Sequence, residues 1–131
     1  MKATITRFVV LTMLAAVSPA LAQDPVKLSP NLYTVLLENE HVRVLEFRAK
    51  AGDKEPMHSH PAGVVYVFTA GRARFTTPDG KSEERQSNAG TVLWSDAVTH
   101  SYEYLGPGDA RVMIVEMKGL AKAPAQDGTK Q

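Results

Sequence analysis

The chain has 131 residues, with 15 Lys or Arg against 14 Asp or Glu, so its formal net charge is +1 at pH 7. This length favours a single domain, since domains average about 150 residues. The charge gives no reason to expect nucleic acid or an anionic membrane as a partner, because both bind clustered basic surfaces. The chain has no cysteine, which excludes disulfides, thiolate metal sites and thiol nucleophiles. The four histidines are therefore the first candidates for metal binding or for acid–base chemistry near neutral pH.

The first 22 residues have the pattern of a secretory signal peptide. Lys2 and Arg7 are followed by an apolar run of ten residues, 8–17, which is too short to cross a bilayer, since spanning takes about 20 residues. Ala20-Leu21-Ala22 is an A-x-A cleavage site. We therefore expect cleavage after Ala22, export to the periplasm and no membrane association afterwards. Removal of Lys2 and Arg7 leaves 13 basic and 14 acidic residues in a mature chain of 109 residues with net charge −1.

The mature chain reads as one all-β domain, residues 32–117, between a polar N-terminal arm, residues 23–31, and a flexible tail, residues 118–131. Short runs rich in Val, Tyr, Phe and Thr alternate with Gly, Pro, Asn and Asp turns, and no ten-residue stretch has a helical period. Such spacing is typical of a sandwich or small barrel. The pattern predicts strands at 33–37, 41–49, 63–69, 72–76, 81–85, 91–94, 99–104 and 110–117.

Two histidines lie in the pattern His58-Ser59-His60, just before the predicted strand 63–69. In an extended chain, residues i and i+2 point to the same face, so the two imidazoles converge. His100 begins another strand and is the obvious third ligand of a metal. The alternative is that these are ordinary imidazoles satisfied by hydrogen bonds, since H-x-H alone is a weak signal. His41 has no ligand at i±2, and we interpret it as a structural imidazole.

The spacing around these histidines resembles the first motif of the cupin superfamily, G-(x5)-H-x-H-(x3,4)-E-(x6)-G. This chain has Gly52, His58, His60 and Gly71 at the matching positions. Where the pattern has Glu, it has Val64, and the next residue is also valine. The resemblance spans about residues 32–117 and agrees with the order of predicted strands and turns.

The second cupin motif, G-(x5)-P-x-G-(x2)-H-(x3)-N, is matched only at its histidine, His100. The other positions depart from the pattern: Ser95 replaces Pro, Ala97 replaces Gly, Tyr104 replaces Asn, and the first Gly is displaced by one to Gly90. The metal-binding histidine of this motif is therefore present without its usual surroundings.

The resemblance implies a single-domain jelly-roll barrel with one divalent transition metal held inside by His58, His60 and His100. With Val64 in the carboxylate position, three neutral ligands favour Fe, Cu, Ni, Co, Mn or Zn over Mg or Ca, and leave positions open to water, oxygen or substrate. A carboxylate from elsewhere is an alternative fourth ligand, the candidates being Glu46, Glu55, Asp96 and Glu103.

Alternation along the chain indicates which side chains could face the barrel interior. His58, His60, Val64, Tyr66 and Phe68 share parity, so we expect all five to point inward. Strand 111–117 is apolar on both faces, which predicts cover on both sides. Tyr102 lies two residues from His100 and is the candidate catalytic residue, as a phenol that reaches a metal-bound substrate or acts as an acid.

Three functions follow from these patterns. The first is an exported cupin that binds a small molecule at a three-histidine metal centre. The second is a non-haem metal-dependent dioxygenase, which would make the protein an enzyme. The third is a metal-free binding or structural cupin module. The resemblance is also compatible with a homodimer, because small members of the family often form dimers.

Overall fold

The computed structural model describes residues 23–120, so the predicted signal peptide and most of the predicted tail lie outside the described residues. This part of the chain contains one short helix and nine strands. In chain order they are α1 (Pro25–Leu28), β1 (Tyr33–Glu38), β2 (Val42–Lys50), β3 (Lys54–His60), β4 (Gly63–Val67), β5 (Gly71–Thr76), β6 (Ser82–Ser87), β7 (Val92–Ser95), β8 (Val98–Gly106) and β9 (Asp109–Met117). Within residues 23–120, no helix has the length and apolarity needed to cross a membrane.

The strands form two antiparallel sheets with the orders β1-β2-β9-β4-β7 and β3-β8-β5-β6. Alternate side chains from both sheets meet in one core, which includes Leu45 and Phe47 from β2, Ala73 from β5 and Tyr104 from β8. The predicted all-β barrel of jelly-roll type is confirmed. Apart from the pairs β1-β2 and β5-β6, neighbouring strands are not consecutive in the chain, so the topology brings residues from distant parts of the sequence to one interior.

Each of the eight predicted strands matches an observed strand, but β3 was missed, and it carries His58 and His60. Pro56 follows the Gly52-Asp53 turn in the sequence, and this combination indicates a loop rather than a strand. The structure tolerates Pro56 because β3 is an edge strand, paired only with β8, where a missing N–H costs no ladder bond. The register of β3 against β8 shifts between Glu55 and His58.

The segment predicted as a polar arm contains helix α1, which packs against β3 and β1. Asp24 caps the helix by accepting a hydrogen bond from the Val26 N–H at 3.0 Å, and Pro25 occupies its first turn, where a proline is favoured. The Pro25 side chain is fully buried. Residues 24–28 are therefore fixed to the barrel.

Apolar side chains are exposed on the strands at both edges of the five-stranded sheet. Val92 is 65% exposed, Leu36 54% and Trp94 53%. Among residues 23–120, no third layer covers the outer face of β9 as we expected, because α1 packs against β3 and β1 and the remaining elements belong to the two sheets.

Gly71, the last glycine of the first motif, lies where β5 meets the ring of Tyr104 on β8. A Cβ atom at Gly71 would overlap the Tyr104 ring and hydroxyl. The Tyr104 hydroxyl donates to the Pro107 carbonyl at 2.9 Å, and this bond holds the ring against the glycine. The backbone of β5 can approach β8 here only because residue 71 has no side chain.

Candidate metal centre

The structure brings the three predicted ligands together on one face of the β3–β8 pair. His58 and His100 are direct partners across the ladder, and His60 lies two residues further along β3. The ring centroids are 4.8 Å apart for His58 and His100, 4.9 Å for His58 and His60, and 5.8 Å for His60 and His100. One nitrogen from each ring lies within 4.8 Å of the others.

The hydrogen bond of His58 leaves a nitrogen free for a metal. Its Nδ1 donates to the Pro56 carbonyl at 2.8 Å, since a carbonyl oxygen can only accept. In the neutral ring Nε2 is then an acceptor, and this buried atom has no hydrogen-bond partner among the described residues. Leaving such an atom unsatisfied costs about 1–3 kcal/mol. A metal ion would satisfy this nitrogen, so the residues fit the metal that the motif resemblance implies.

His60 is held in the same way by a residue that the sequence analysis missed. Its Nδ1 donates to Glu116 Oε1 at 2.7 Å, so its Nε2 also carries the free lone pair. Glu116 is 2% exposed and comes from β9, in which it is the acid among Val112–Met117. An acid inside the otherwise apolar run 112–117 was the available signal.

The environment favours the uncharged form of two of the ligands. Burial lowers the pKa of His100 to about 3, helped by the neighbouring imidazoles His58 and His60. Burial also lowers the pKa of His58. Because a metal binds the unprotonated nitrogen, these shifts keep the ligands ready at neutral pH. Three imidazoles are a donor set that suits divalent transition metals.

None of the four candidate carboxylates belongs to the group of converging ligand atoms in residues 23–120. Three of these carboxylates accept hydrogen bonds from other side chains, away from the three histidines. Glu46 accepts from Arg111 at 2.6 Å, Glu103 from Arg74 at 2.9 Å, and Asp96 from the Trp94 indole at 3.0 Å.

The fourth candidate, Glu55, is buried beside the cluster but on the wrong side of His58. Its Oε1 lies 3.9 Å from Nδ1, the nitrogen bonded to Pro56 rather than the free one. Glu55 is 4% exposed, and Oε1 has no hydrogen-bond partner among the described residues. Burial raises the pKa of Glu55 to about 7, although the Tyr33 hydroxyl opposes this effect.

Replacing Glu55 with glutamine is expected to make the metal-free protein gain stability relative to the wild type as the pH rises. The pKa of this carboxyl is about 7 in the folded protein against a usual 4.5. Between these two pH values the folded protein keeps the proton while the unfolded chain loses it. The wild type therefore loses stability as the pH rises through this range, whereas the glutamine variant does not. Between about pH 4 and about pH 8 the difference should amount to roughly 3 kcal/mol. Urea unfolding of both proteins at several pH values measures this difference in the free energy of unfolding. A difference that does not change with pH would contradict a raised pKa for Glu55.

A cavity of about 230 Å³ lies between the sheets, with His60, His100 and Tyr102 in its wall. From β4 the wall is formed by Gly63, Val65 and Val67. The expectation that Val64, Tyr66 and Phe68 share the inward face with the histidines is therefore wrong. Pro61 and Ala62 separate β3 from β4, and this connection shifts the alternation by one residue, which turns every side chain to the other face.

Tyr102 stands in the cavity wall together with apolar rings. Its ring centroid is 5.3 Å from that of Phe47 and 5.2 Å from that of Phe75, and it is paired with Glu55 across the β3–β8 ladder. Burial raises the pKa of the Tyr102 phenol. Tyr102 therefore lies in the cavity wall as a neutral phenol at neutral pH.

His41 is not a member of the three-histidine cluster. It is 78% exposed by its side chain and its Nε2 lies 3.2 Å from Glu40 Oε1, so it contacts a neighbouring carboxylate in the β1–β2 turn.

No family model matches the chain, and no curated protein matches it. Solved structures do. A cupin domain from Bordetella pertussis Tohama I is 28% identical, with a TM-score of 0.61, over 66% of this chain and 92% of that chain. An RmlC-like cupin with a double-stranded β-helix fold from Methanocaldococcus jannaschii is 14% identical, with a TM-score of 0.53, over 66% and 78%. A Klebsiella pneumoniae protein with a double-stranded β-helix domain is 21% identical, with a TM-score of 0.51, over 68% and 77%.

Proposed function

This chain has the fold of the cupin superfamily, and on that premise we propose that it binds a divalent transition metal and a small molecule inside its barrel. The observation that carries the proposal is the convergence of His58, His60 and His100, with a buried and unpartnered Nε2 on His58. These three residues would hold the metal. A metal with three imidazole ligands supplies a Lewis-acidic centre with open positions for a small molecule.

The cavity indicates the size and character of the ligand. An apolar cavity of about 150 Å³ holds a benzene molecule, so the 230 Å³ here suits a molecule with one ring or a few more atoms. Phe47 and Phe75 offer apolar surface, while Tyr102 offers a hydroxyl in the wall of the same cavity. In this proposal Tyr102 contacts the ligand and orients it.

A second candidate is an oxidoreductase of the non-haem dioxygenase type. It is favoured by the same centre, because three protein ligands leave room for both a substrate and oxygen. The neutral Tyr102 phenol in the same cavity is then available as a proton donor. A metal-free binding or structural module is the third candidate.

Metal analysis followed by oxygen-uptake assays separates the three candidates. Protein purified without chelators is expected to contain close to one transition metal per chain. Samples loaded separately with Fe, Mn, Co, Ni, Cu or Zn are then assayed for oxygen consumption with small phenols, thiols and diketones. A protein that contains the metal but consumes no oxygen with any of these compounds supports the first candidate. Metal-dependent oxygen consumption supports the second. A wild-type protein that neither contains nor takes up metal contradicts both and leaves the third.

We also propose that the protein acts in the periplasm after cleavage behind Ala22. The charged and apolar pattern of residues 1–22 and the Ala20-Leu21-Ala22 site support this location. Mass spectrometry of the protein from a periplasmic fraction is expected to give a mature chain beginning at Gln23, and an intact N-terminus in the cytoplasm would contradict export.

A further inference from the structure

A continuous series of charged hydrogen bonds joins the candidate metal centre to the N-terminal helix. His60 Nδ1 donates to Glu116 Oε1 at 2.7 Å, and Arg43 Nε donates to Glu116 Oε2 at 2.6 Å. The two terminal nitrogens of Arg43 donate to the two carboxylate oxygens of Asp24 at 3.0 and 3.1 Å. Asp24 in turn caps helix α1. The series therefore runs from a candidate metal ligand to the helix cap.

The geometry leaves each member of this series little freedom. The side chain of Glu116 is 3% exposed and that of Arg43 16%, so solvent does not offer them alternative partners. A guanidinium presents its donors in a rigid plane. Here the Nε of Arg43 donates to Glu116, while its two terminal nitrogens donate to Asp24. With Oε2 of Glu116 occupied by Arg43, Oε1 is the oxygen turned to His60.

The N-terminal segment has a second attachment to the ligand strand. The backbone N–H of Ser59 donates to the Gln23 carbonyl at 3.0 Å, and Ser59 lies between His58 and His60. Pro25 is buried at the start of α1. The N-terminal segment is thus attached to the ligand strand β3 through its backbone and to β2 through the side chain of Asp24.

We propose that Arg43 is a positioning residue through which the docking of residues 23–28 strengthens metal binding at His60. This inference rests on the proposed metal-binding function. A carboxylate that accepts from the second nitrogen of a ligating imidazole fixes the ring and raises its basicity. Arg43 fixes that carboxylate, and Asp24 fixes Arg43. Neither Arg43 nor Asp24 contacts the site itself, so each acts through its neighbour.

Linkage gives the proposal a second, independent consequence. If docking of the segment raises metal affinity by some factor, metal binding must stabilise the docked segment by the same factor. The amides of Lys27 and Leu28 donate to the Asp24 carbonyl and that of Ser29 to the Pro25 carbonyl, so all three report on docking through hydrogen exchange. Metal is expected to slow their exchange.

The first arm of the test measures the affinity of the full-length mature protein for Co²⁺ by titration. Arg43→Gln is expected to weaken binding about tenfold, since loss of outer partners of metal ligands typically costs 10–100-fold. Asp24→Asn keeps a side chain able to cap α1 and is expected to weaken binding about threefold. Arg74→Gln is the matched control, because Arg74 also joins two carboxylates, Glu84 and Glu103, away from the site, and it should bind Co²⁺ as the wild type does.

The second arm measures hydrogen exchange of residues 27–29 with and without Co²⁺. The wild type and Arg74→Gln should show the same slowing, whereas Arg43→Gln should lose most of it. A change in the visible absorption of bound Co²⁺ in Arg43→Gln is expected as well, because Glu116 loses the donor that fixes it and therefore orients the His60 ring less firmly. This arm does not depend on activity and remains informative if Arg43→Gln is less stable, since Asp24→Asn can be measured alongside it.

The outcomes separate this inference from the function on which it rests. A wild type that binds Co²⁺, with both variants equally tight and no metal effect on exchange, overturns the coupling and leaves the metal centre intact. Loss of affinity in Arg74→Gln equal to that in Arg43→Gln overturns it too, because a general loss of stability would then explain both. A wild type that binds no metal overturns the proposed function and the coupling together.

Discussion

Replacement of His58 or His100 with alanine is expected to reduce the metal content of the purified protein from close to one per chain to background. Each variant removes one of three ligands, and two remaining imidazoles do not hold a metal against purification buffers. We expect the dissociation constant to rise by at least about a hundredfold, which corresponds to about 2.7 kcal/mol. Elemental analysis and Co²⁺ titration of the same samples measure the change.

The control for this experiment is His41→Ala. His41 is exposed in the β1–β2 turn and contacts Glu40, so its removal should leave metal content unchanged. Folding of the variants is checked by circular dichroism in the metal-free state. His58→Ala removes the unpartnered Nε2, but it also removes the donor to the Pro56 carbonyl and leaves a cavity, so metal content is compared only among variants that remain folded. Variants that keep their metal would contradict the three-histidine site.

Glu116→Leu is expected to destabilise the metal-free protein by about 3–5 kcal/mol, because it leaves Arg43 and His60 in the interior without their shared partner. Such a loss is a large part of the stability of a small domain, about 5–15 kcal/mol. Glu116→Gln retains the shape and one acceptor oxygen, so it should lose less. Urea unfolding at neutral pH measures both variants.

The exposed Glu84 provides the matched control for Glu116. It also binds two arginines, Arg72 and Arg74, but at the surface, where such pairs contribute about 0–1 kcal/mol. Glu84→Leu should therefore be close to the wild type. Equal losses of unfolding free energy for Glu84→Leu and Glu116→Leu would contradict a special contribution of the buried Glu116 to stability.

Acid should remove the contribution of Glu116. Burial alone would raise its pKa, but the hydrogen bonds from His60 and Arg43 outweigh burial and hold the pKa below the usual value of 4.5. An acid with a depressed folded pKa stabilises the fold above its unfolded pKa and loses that contribution as the pH falls through the folded value. The difference between the wild type and Glu116→Leu is thus expected to narrow below about pH 4.

The fold could be predicted from the sequence because local signals agreed along most of the chain. Alternation and turn residues located eight strands, and the spacing of Gly52, His58, His60 and Gly71 indicated the barrel. Strand β3 escaped because Pro56 is a strong local signal against a strand, and only its place at a sheet edge makes the proline acceptable. That place is set by long-range pairing with β8, which no local pattern contains.

The candidate site could also be predicted only in part. Three ligands followed from parity and a family pattern, but Glu116 lies 56 residues from His60 along the chain, and their contact depends on β9 lying next to β4. The inward face of β4 could not be derived either, because Pro61 and Ala62 offset it from β3 by one residue. Register errors of this kind invert a whole face, which is why Val65 and not Val64 lies in the cavity wall.

The contact between Gly71 and Tyr104 makes two distant motif positions a single packing unit. Gly71 closes the first motif, while Tyr104 stands where the second motif has asparagine, and the glycine leaves the space that the ring fills. Among relatives of this protein, a larger residue at the first position should therefore occur with a smaller one at the second. The tyrosine at position 104 thus fills space that the glycine of the first motif leaves open, and it makes that glycine indispensable in this chain.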